Sequence, residues 1–399
     1  MSILSAQVQG YMERSSWIRR MFETGIELKK QFGEDQVCDF SLGNPDLPPP
    51  ACVCTGLREI ADEADAPFAF GYMPNFGYPH VREALAREVS KEQGVDVSAT
   101  DLVLTCGAAG AINAFYRAVL EPGDEVLCPA PYFVEYGFYA ENHGGVLTTA
   151  PAKPGTFDLD VAALEAAITD KTRVVLINSP NNPTGVVYPR ETLVALADML
   201  QRKSAGRGRP IFLLADEPYR FLAFDGVEVP SLLPLYPHTV VVSSFSKNLS
   251  LAGARVGYAL VNPAMPGHEE LIGGIILANR ILGFVNAPAL AQKLLAKALG
   301  SQVDVSIYAA RRDAMRQVLD AAGYTYPLPR GAFYFFPAAP GGDDVAFVQL
   351  LLEERILAVP GKGFGWPGHF RLAFCVGENV IRRAEDGFKR AMDLSLIHI

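Results

Sequence analysis

Short apolar runs separated by amphipathic stretches dominate the chain from Leu102 to Val261. Continuous apolar runs are typical of strands in a parallel sheet, because helices cover both faces of such a sheet. The pattern predicts an α/β fold with three layers and a mostly parallel sheet of seven strands, at residues 102–105, 125–129, 146–150, 173–178, 211–216, 239–244 and 256–261. Ligands of such sheets bind beyond the carboxyl ends of the strands, so the residues that end these runs are candidates for a functional site.

The pattern changes in the last quarter of the chain, where a mixed composition replaces the repeated apolar runs. Helical spacing predicts helices over residues 306–323 and 344–356, and the alternation in 370–376 predicts an antiparallel strand. Near the amino terminus, apolar residues at helical spacing beside a Ser-Ser pair predict a helix over 14–31. These elements indicate a second, smaller α+β domain.

The expected division of the chain is a large domain over residues 46–290 and a small domain formed by 1–45 together with 291–393. The last residues, LSLIHI at 394–399, resemble translated adapter DNA and are left out of the fold prediction. The amino terminus lacks the apolar core of a signal peptide, and the longest apolar stretch, 271–282, is too short to cross a bilayer. We therefore expect no membrane association.

Composition and charge narrow the class of protein further. The 399 residues are 49% hydrophobic and 20% charged, which is typical of a globular chain with a large core. The net charge of −9 argues against a nucleic-acid-binding surface. The six cysteines form no C-x-x-C pair, and the histidines lack the spacing of metal ligands, so we expect no metal and a reducing cytoplasm. Cys52 and Cys54 could form a reactive pair, but we expect two buried small residues instead, since free cysteines are usually buried.

The segment 240–258 places a lysine just after a predicted buried strand. Lys247 follows the β-branched run, and Arg255 stands between two glycines eight residues later. A lysine near apolar walls and other cations loses proton affinity and becomes a nucleophilic amine. Ser244 and Arg255 offer the hydroxyl and the planar fork of donors that a phosphate group needs. The segment therefore predicts an imine-forming lysine beside a phosphate site.

Three other strand ends carry candidate chemistry. Asp216 ends the apolar run IFLLAD, and a carboxylate there is costly to bury unless a cation pairs with it. A predicted helix begins at Gly107, where free backbone amides bind anions and a small residue allows close approach. The sequence SPNNPTG at 179–185 predicts a tight turn that carries Asn182.

Together these segments resemble the class I and II aminotransferases, which are pyridoxal-phosphate enzymes of fold type I. The resemblance covers most of the chain. It rests on four motifs that stand in the family's order: N-P-T-G at 182–185, D-x-x-Y at 216–219, S-x-x-K-x5-G-x-R-x-G at 244–257 and R-L-A-F at 371–374.

The resemblance implies a bound pyridoxal 5'-phosphate and catalytic roles for Lys247, Asp216 and Tyr219. Lys247 would form an imine with the cofactor and move the substrate's proton, Asp216 would keep the pyridine nitrogen protonated, and Tyr219 would donate to the ring oxygen. The implied cofactor contacts are Gly107, Ala108, Ala109, Phe133, Asn182, Asp216, Tyr219, Ser244, Lys247 and Arg255, with Tyr72 reaching in from a partner subunit. The implied substrate contacts are Gly43, Asn182 and Arg371, of which Arg371 would clamp the α-carboxylate.

The function implied by the resemblance is transfer of an amino group from an α-amino acid to a 2-oxo acid, in a cytoplasmic homodimer with shared sites. The donor stays open. Ala109 stands where dicarboxylate-specific relatives carry a lysine, and Arg280 lies near a position from which a partner could supply a cation. Aspartate, alanine or another neutral amino acid fits. The alternatives are a C–S β-lyase of the same fold and a non-catalytic cofactor-sensing regulator, which the acidic charge disfavours.

Overall fold

The computed structural model describes residues 3–13 and 17–397. In these residues the strands are β1 (Cys38–Asp39), β2 (Leu102–Thr105), β3 (Glu125–Ala130), β4 (Val146–Pro151), β5 (Thr172–Asn178), β6 (Phe212–Asp216), β7 (Thr239–Ser244), β8 (Gly257–Val261), β9 (Tyr334–Phe335), β10 (Ile356–Leu357), β11 (Val359–Pro360) and β12 (Phe370–Ala373). The α-helices are α1 (Ala6–Glu13), α2 (Trp17–Phe32), α3 (Ala51–Asp62), α4 (Pro79–Gln93), α5 (Gly107–Val119), α6 (Glu135–Glu141), α7 (Val161–Ala167), α8 (Arg190–Ser204), α9 (His268–Ile281), α10 (Ala289–Ala298), α11 (Val305–Ala321), α12 (Asp344–Glu353), α13 (Glu378–Arg383) and α14 (Glu385–Ile397).

Seven of the described strands form one sheet in the order β2-β8-β7-β6-β5-β3-β4. All neighbours pair in parallel except β8, which is antiparallel to both β2 and β7. The seven predicted strands are confirmed, and each boundary lies within one residue of its prediction. The signal was strong because every residue of β2, β6 and β8 is buried, which leaves a continuous apolar run in the sequence.

Helices cover both faces of this sheet. In β7, Val240 and Val242 pack into a cluster with α5 and α9, whereas Val241 points the other way into a cluster with α4, α8 and α10. Alternate residues of a strand face opposite sides of a sheet, so both faces of β7 need apolar residues. The three-layer α/β prediction is confirmed.

The smaller α+β domain is built around a sheet in the order β11-β12-β9. Strand β12 is antiparallel to both neighbours, as the alternation in 370–376 predicted. Its core is rich in aromatic side chains from β9, β12 and the segments beside them: Phe333, Phe335, Phe336, Phe370 and Phe374. The amino-terminal segment joins this domain, because β1 pairs in parallel with β10. This pairing brings residues after Asp39 next to β12.

Two helix predictions need adjustment. The predicted helix over 14–31 is α2, which begins at Trp17, and the Ser-Ser pair before it lies outside the described residues. The predicted helix over 344–356 is too long, because α12 ends at Glu353. Arg355 has a φ of 59°, which breaks the helix, and the apolar residues after it form β10 instead.

The burial predicted for Cys52 and Cys54 is wrong. Cys52 is half-buried and Cys54 is exposed on α3. The helix turns Val53, Gly56 and Ile60 toward the core, so the positions on either side of Val53 face outward. In the described part of the chain, no helix is both long and apolar enough to span a bilayer.

Candidate active site

A cavity of about 340 Å³ lies at the carboxyl ends of the sheet strands, between the two domains. It collects every predicted site residue except Gly107 and Tyr72. Its lining includes Gly43, Ala108, Ala109, Phe133, Asn182, Asp216, Tyr219, Ser244, Lys247, Arg255 and Arg371. Residues far apart in the sequence meet here because parallel strands deliver their ends to one edge of the sheet.

Lys247 projects into the cavity from the turn that follows β7. Its Nζ atom donates a 2.6 Å hydrogen bond to the Gly43 carbonyl and lies 5.6 Å from the centre of the Phe333 ring. Burial lowers the pKa of Lys247 to about 8, and the neighbouring Arg371 and Arg255 add to this decrease. A lysine with this pKa has a sizeable fraction of neutral, nucleophilic amine near neutral pH.

Asp216 ends β6 at the floor of the cavity. Its Oδ2 atom accepts a 2.5 Å hydrogen bond from the Tyr136 hydroxyl, while Oδ1 is buried with no hydrogen-bond partner in the described structure. Burial raises the pKa of Asp216 to about 7. A buried carboxylate oxygen without a partner is suited to a ligand with a cationic N–H group. Such a donor would stabilise the ionised form of Asp216.

Gly107, Arg255 and Gly257 form a cradle for an anion at the start of α5. Gly107 has a φ of 72°, and a Cβ atom there would lie 3.1 Å from Nη2 of Arg255. A Cβ atom on Gly257 would lie 2.4 Å from the Ser243 carbonyl oxygen and would block the strand pairing. The glycines therefore keep free both the first amides of α5 and the guanidinium of Arg255, which suits a phosphate group. Gly107 contributes as a neighbour of Arg255 rather than as part of the cavity wall.

Arg371 is a cation in β12 that is only 2% exposed. Its Nη1 atom donates to Oδ1 of Asn182 at 3.0 Å, and Nη2 donates to the Ser41 carbonyl at 2.5 Å. Its Nε atom is buried without a hydrogen-bond partner in the described residues. The guanidinium carbon lies 4.7 Å from the centre of the Tyr334 ring and 4.9 Å from that of Phe364. A buried guanidinium with no carboxylate beside it is suited to an anionic ligand.

The side-chain amide of Asn182 has its oxygen engaged and its NH₂ group available. Its backbone N–H donates to Oδ1 of Asn178 at 2.7 Å, and its side-chain oxygen accepts from Arg371. The Asn182 amide group is therefore oriented with its NH₂ available for a ligand. The Asn182–Pro183 peptide bond is cis.

Of the lining residues that were missed in the sequence, three make hydrogen bonds to predicted site residues: Tyr136, Asn178 and Tyr334. Asn178 ends β5, so the strand-end rule was a sufficient signal for it; its Nδ2 donates to the Asp216 carbonyl at 2.8 Å. Tyr136 lies on α6 and Tyr334 in β9. Neither residue ends a strand of the large sheet or belongs to one of the four motifs, so no signal in the sequence pointed to them. The hydroxyls of Tyr334 and Tyr219 lie 2.7 Å apart.

Two predicted contacts are placed less directly. Phe133 is half-buried at the cavity edge, where its ring meets Tyr136 edge to face at a centroid distance of 5.5 Å. Tyr72 is 95% exposed and lines a different cavity with Phe70, Phe284 and Val285. It does not reach the site of its own chain, so its predicted contact depends on a second subunit.

The profile of the family described as "Aminotransferase class I and II" matches residues 35–386. The chain therefore belongs to this family, whose members depend on pyridoxal phosphate, and it is an enzyme of amino-group transfer. The aspartate/prephenate aminotransferase of Thermus thermophilus is 33% identical over 380 residues, which cover 92% of this chain and 93% of the relative.

Solved structures of similar proteins agree in fold. An aminotransferase from Eubacterium rectale has a TM-score of 0.94 and 37% identity, with 99% of each chain covered. The aspartate aminotransferase of Thermus thermophilus with maleate has a TM-score of 0.87 and 30% identity, covering 98% of this chain and all of that one. The fold type I assignment is confirmed, and a β-lyase is not favoured.

Proposed function

We propose that this cavity binds pyridoxal 5'-phosphate and that the chain transfers the amino group of an α-amino acid to a 2-oxo acid there. One observation carries the proposal. A lysine of lowered pKa, a buried carboxylate oxygen without a hydrogen-bond partner in the described residues, and a buried guanidinium whose Nε atom also lacks one, all line one cavity. These groups suit, in turn, an aldehyde carbon, a protonated pyridine nitrogen and a carboxylate.

The residues present fit the cofactor. Asp216 would hold the pyridine nitrogen, and the cradle of Gly107, Ala108, Arg255 and Ser244 would hold the phosphate group. Tyr219 and the NH₂ group of Asn182 would donate to the ring oxygen. Phe133 would cover one ring face. When bound, pyridoxal phosphate supplies an aldehyde that reacts with amines and a ring that stabilises negative charge at the substrate's α-carbon.

The chain's own residues bind and orient the substrate. Arg371 pairs its free donors with the α-carboxylate, and Asn182, fixed by Arg371, adds a hydrogen bond. Gly43, whose carbonyl accepts a hydrogen bond from Lys247, lines the same cavity. Lys247 in its neutral form acts as the nucleophile and then as the base that moves the α-proton.

The relatives and the cavity lining together indicate which amino acids to test as donors of the amino group. Relatives named aspartate/prephenate aminotransferase make aspartate the first donor to test. The described cavity lining has Lys247, Arg255 and Arg371 as its cations, and all three already have roles. A second carboxylate would therefore need a cation from a partner subunit, such as Arg280, and a neutral donor such as alanine would not.

We also propose the assembly and compartment expected from the sequence and a revised domain limit. Tyr72 and its apolar neighbours are exposed in the single chain, which supports a homodimer with shared sites. The six cysteines are free, which supports the cytoplasm. Residues of 46–290 and of the small domain line the cavity together, which supports two domains, but α10 packs in the core of the large domain, so we place the limit between them after Ala298.

The test is a donor screen with purified protein and added pyridoxal phosphate. Aspartate, glutamate, alanine and aromatic amino acids are each paired with 2-oxoglutarate and with pyruvate, and both products are measured. We expect a new amino acid to form in step with the donor's 2-oxo acid. Ammonia and pyruvate released from cystathionine without any 2-oxo acid acceptor would instead establish a β-lyase.

A further inference from the structure

We propose that Tyr334 is a positioning residue that sets the strength with which Tyr219 donates its hydrogen bond in the site. This inference rests on the proposed function, in which Tyr219 donates to the ring oxygen of the cofactor. The two hydroxyl oxygens lie 2.7 Å apart, and both side chains are buried, at 4% exposure for Tyr219 and 2% for Tyr334.

The direction of the hydrogen bond follows from proton counting. A tyrosine hydroxyl carries one hydrogen and can accept as well as donate. If Tyr219 gives its hydrogen to a ligand oxygen, the 2.7 Å contact can be made only by Tyr334 donating to Tyr219. The result is a chain of two hydroxyls that ends at the ligand. Hydrogen bonds in such chains polarise one another, so the donation from Tyr334 makes Tyr219 a better donor.

Other contacts hold Tyr334 in this position. Its ring lies 4.7 Å from the guanidinium carbon of Arg371, and its backbone pairs with Ala373 in the neighbouring strand. The Tyr334 hydroxyl also packs so closely on Gly43 that a Cβ atom there would be 2.0 Å away. Burial raises the pKa of Tyr334 to about 12, while the positive charge of Arg371 opposes this change. Tyr334 therefore stays neutral and able to donate its hydrogen. Its hydroxyl also links the small domain to Tyr219, the last residue of the D-x-x-Y motif in the large domain.

The test is the pH dependence of the bound cofactor's absorbance in Tyr334→Phe. A donor to the ring oxygen stabilises its negative charge and lowers the pH at which the bound cofactor loses its proton. Weakening Tyr219 should therefore raise the absorbance midpoint, by roughly 0.3 to 1 pH unit. Replacing Tyr334 with 3-fluorotyrosine, which keeps the shape but has a more acidic hydroxyl, should shift the midpoint the opposite way. The fluorotyrosine variant retains the packing, so its midpoint alone tests the role of the Tyr334 hydroxyl if Tyr334→Phe does not fold.

Two further variants separate a hydrogen-bond chain from simple packing. In a Tyr219→Phe background the chain is already broken, so adding Tyr334→Phe should shift the midpoint no further. Tyr308→Phe is the matched control, because it removes a buried hydroxyl without a hydrogen-bond partner in the described residues, from a ring that contacts Phe333 as Tyr334 does.

The outcomes distinguish the two levels of the proposal. Equal shifts from Tyr334→Phe in both backgrounds, or an unchanged midpoint in both Tyr334 variants, would overturn the role of Tyr334 and leave the proposed function intact. Wild-type protein that binds no pyridoxal phosphate would overturn both. A shift in Tyr308→Phe as large as that in Tyr334→Phe would assign the effect to the aromatic core rather than to the hydroxyl pair.

Discussion

The amine of Lys247 donates a 2.6 Å hydrogen bond to the carbonyl of Gly43, across 204 positions of sequence. Neighbouring carbonyls of the same loop are also held by residues of β12 and its end. Arg371 donates to the Ser41 carbonyl, and the Cys375 thiol lies 3.6 Å from the carbonyls of Leu42 and Asn44. Lys247 and Arg371, which would bind cofactor and substrate, therefore also hold this loop. Its position should respond to changes in them.

Lys247→Ala removes both the proposed nucleophile and the proposed proton carrier. We expect the purified variant still to bind pyridoxal phosphate but to lack the absorbance band of the lysine-bound cofactor. Amino transfer should fall by several powers of ten, because two catalytic functions are lost together. Lys153→Ala, which removes an exposed lysine paired with Asp158, is the control. Near-normal activity of Lys247→Ala would refute the proposed function.

Gly43→Ala tests the close packing of the loop on Tyr334. The added Cβ atom would lie 2.0 Å from the Tyr334 hydroxyl and 2.9 Å from its Cζ atom, and the buried ring has little room to move. We expect a loss of kcat/KM of roughly tenfold or more, which corresponds to about 1.4 kcal/mol. Steady-state kinetics measure the loss. Gly208→Ala is the matched control, because its Cβ atom would meet nothing within 4 Å. Equal kinetics for the two variants would contradict the packing argument.

Asp216 should make the cofactor-free protein less stable as the pH rises. Burial raises its pKa from 3.8 to about 7 in the folded chain. The folded state therefore holds the proton more tightly than the unfolded state does. The stability due to this group is full below pH 3.8 and is lost as the pH rises toward 7. Asp216→Asn cannot ionise, so it should be more stable than wild type at pH 8.

The measurement is urea unfolding of cofactor-free wild type and Asp216→Asn at pH 5 and pH 8. The advantage of the variant at pH 8 should reach a few kcal/mol, roughly, and shrink at pH 5. Asp198→Asn, at an exposed position of α8, controls for the loss of a charge. Added pyridoxal phosphate should reverse the order, since the ionised Asp216 then gains a cationic partner. A pH-independent difference would show that Asp216 does not titrate in this range.

Arg371→Lys keeps the positive charge but loses the planar fork. A lysine cannot at once donate to Asn182, to the Ser41 carbonyl and to both oxygens of a carboxylate, as a guanidinium can. We expect KM for the amino acid to rise by roughly 10 to 100-fold, while the cofactor's absorbance spectrum stays close to that of wild type. Arg355→Lys is the control, because Arg355 lies over the Phe32 ring in the small domain, away from the cavity lining. A selective fall in kcat with unchanged KM would argue against a carboxylate clamp.

The large sheet was predictable because burial on both faces leaves continuous apolar runs, and the strand-end rule then located Asp216, Lys247 and Ser244. The small domain was harder to predict, since its strands are only two to four residues long. Tyr136 and Tyr334 escaped notice for a physical reason. A tyrosine in an aromatic run is normally assigned to the hydrophobic core. Its hydrogen-bonding role becomes visible only when the partner of its hydroxyl is known, and that partner comes from a distant segment of the chain.

The Tyr72 hypothesis predicts that two weakened subunits can restore each other. Tyr72→Phe removes one hydrogen bond to the phosphate group, which should weaken cofactor binding by roughly 10 to 100-fold. In the proposed homodimer, co-expression of differently tagged Tyr72→Phe and Lys247→Ala chains gives a hybrid dimer that can be purified. In the hybrid, the only lysine-containing site lies in the Tyr72→Phe chain and faces an intact Tyr72 of its partner.

Titration of the lysine-bound absorbance band with pyridoxal phosphate checks this arrangement. The hybrid should show the affinity of wild type, measured against a reference hybrid of wild-type and Lys247→Ala chains. If Tyr72 served its own chain, the site would keep the weak affinity of the Tyr72→Phe homodimer. The exposed position of Tyr72, outside its own chain's cavity, favours restoration, because the hydroxyl can reach a site only across an interface.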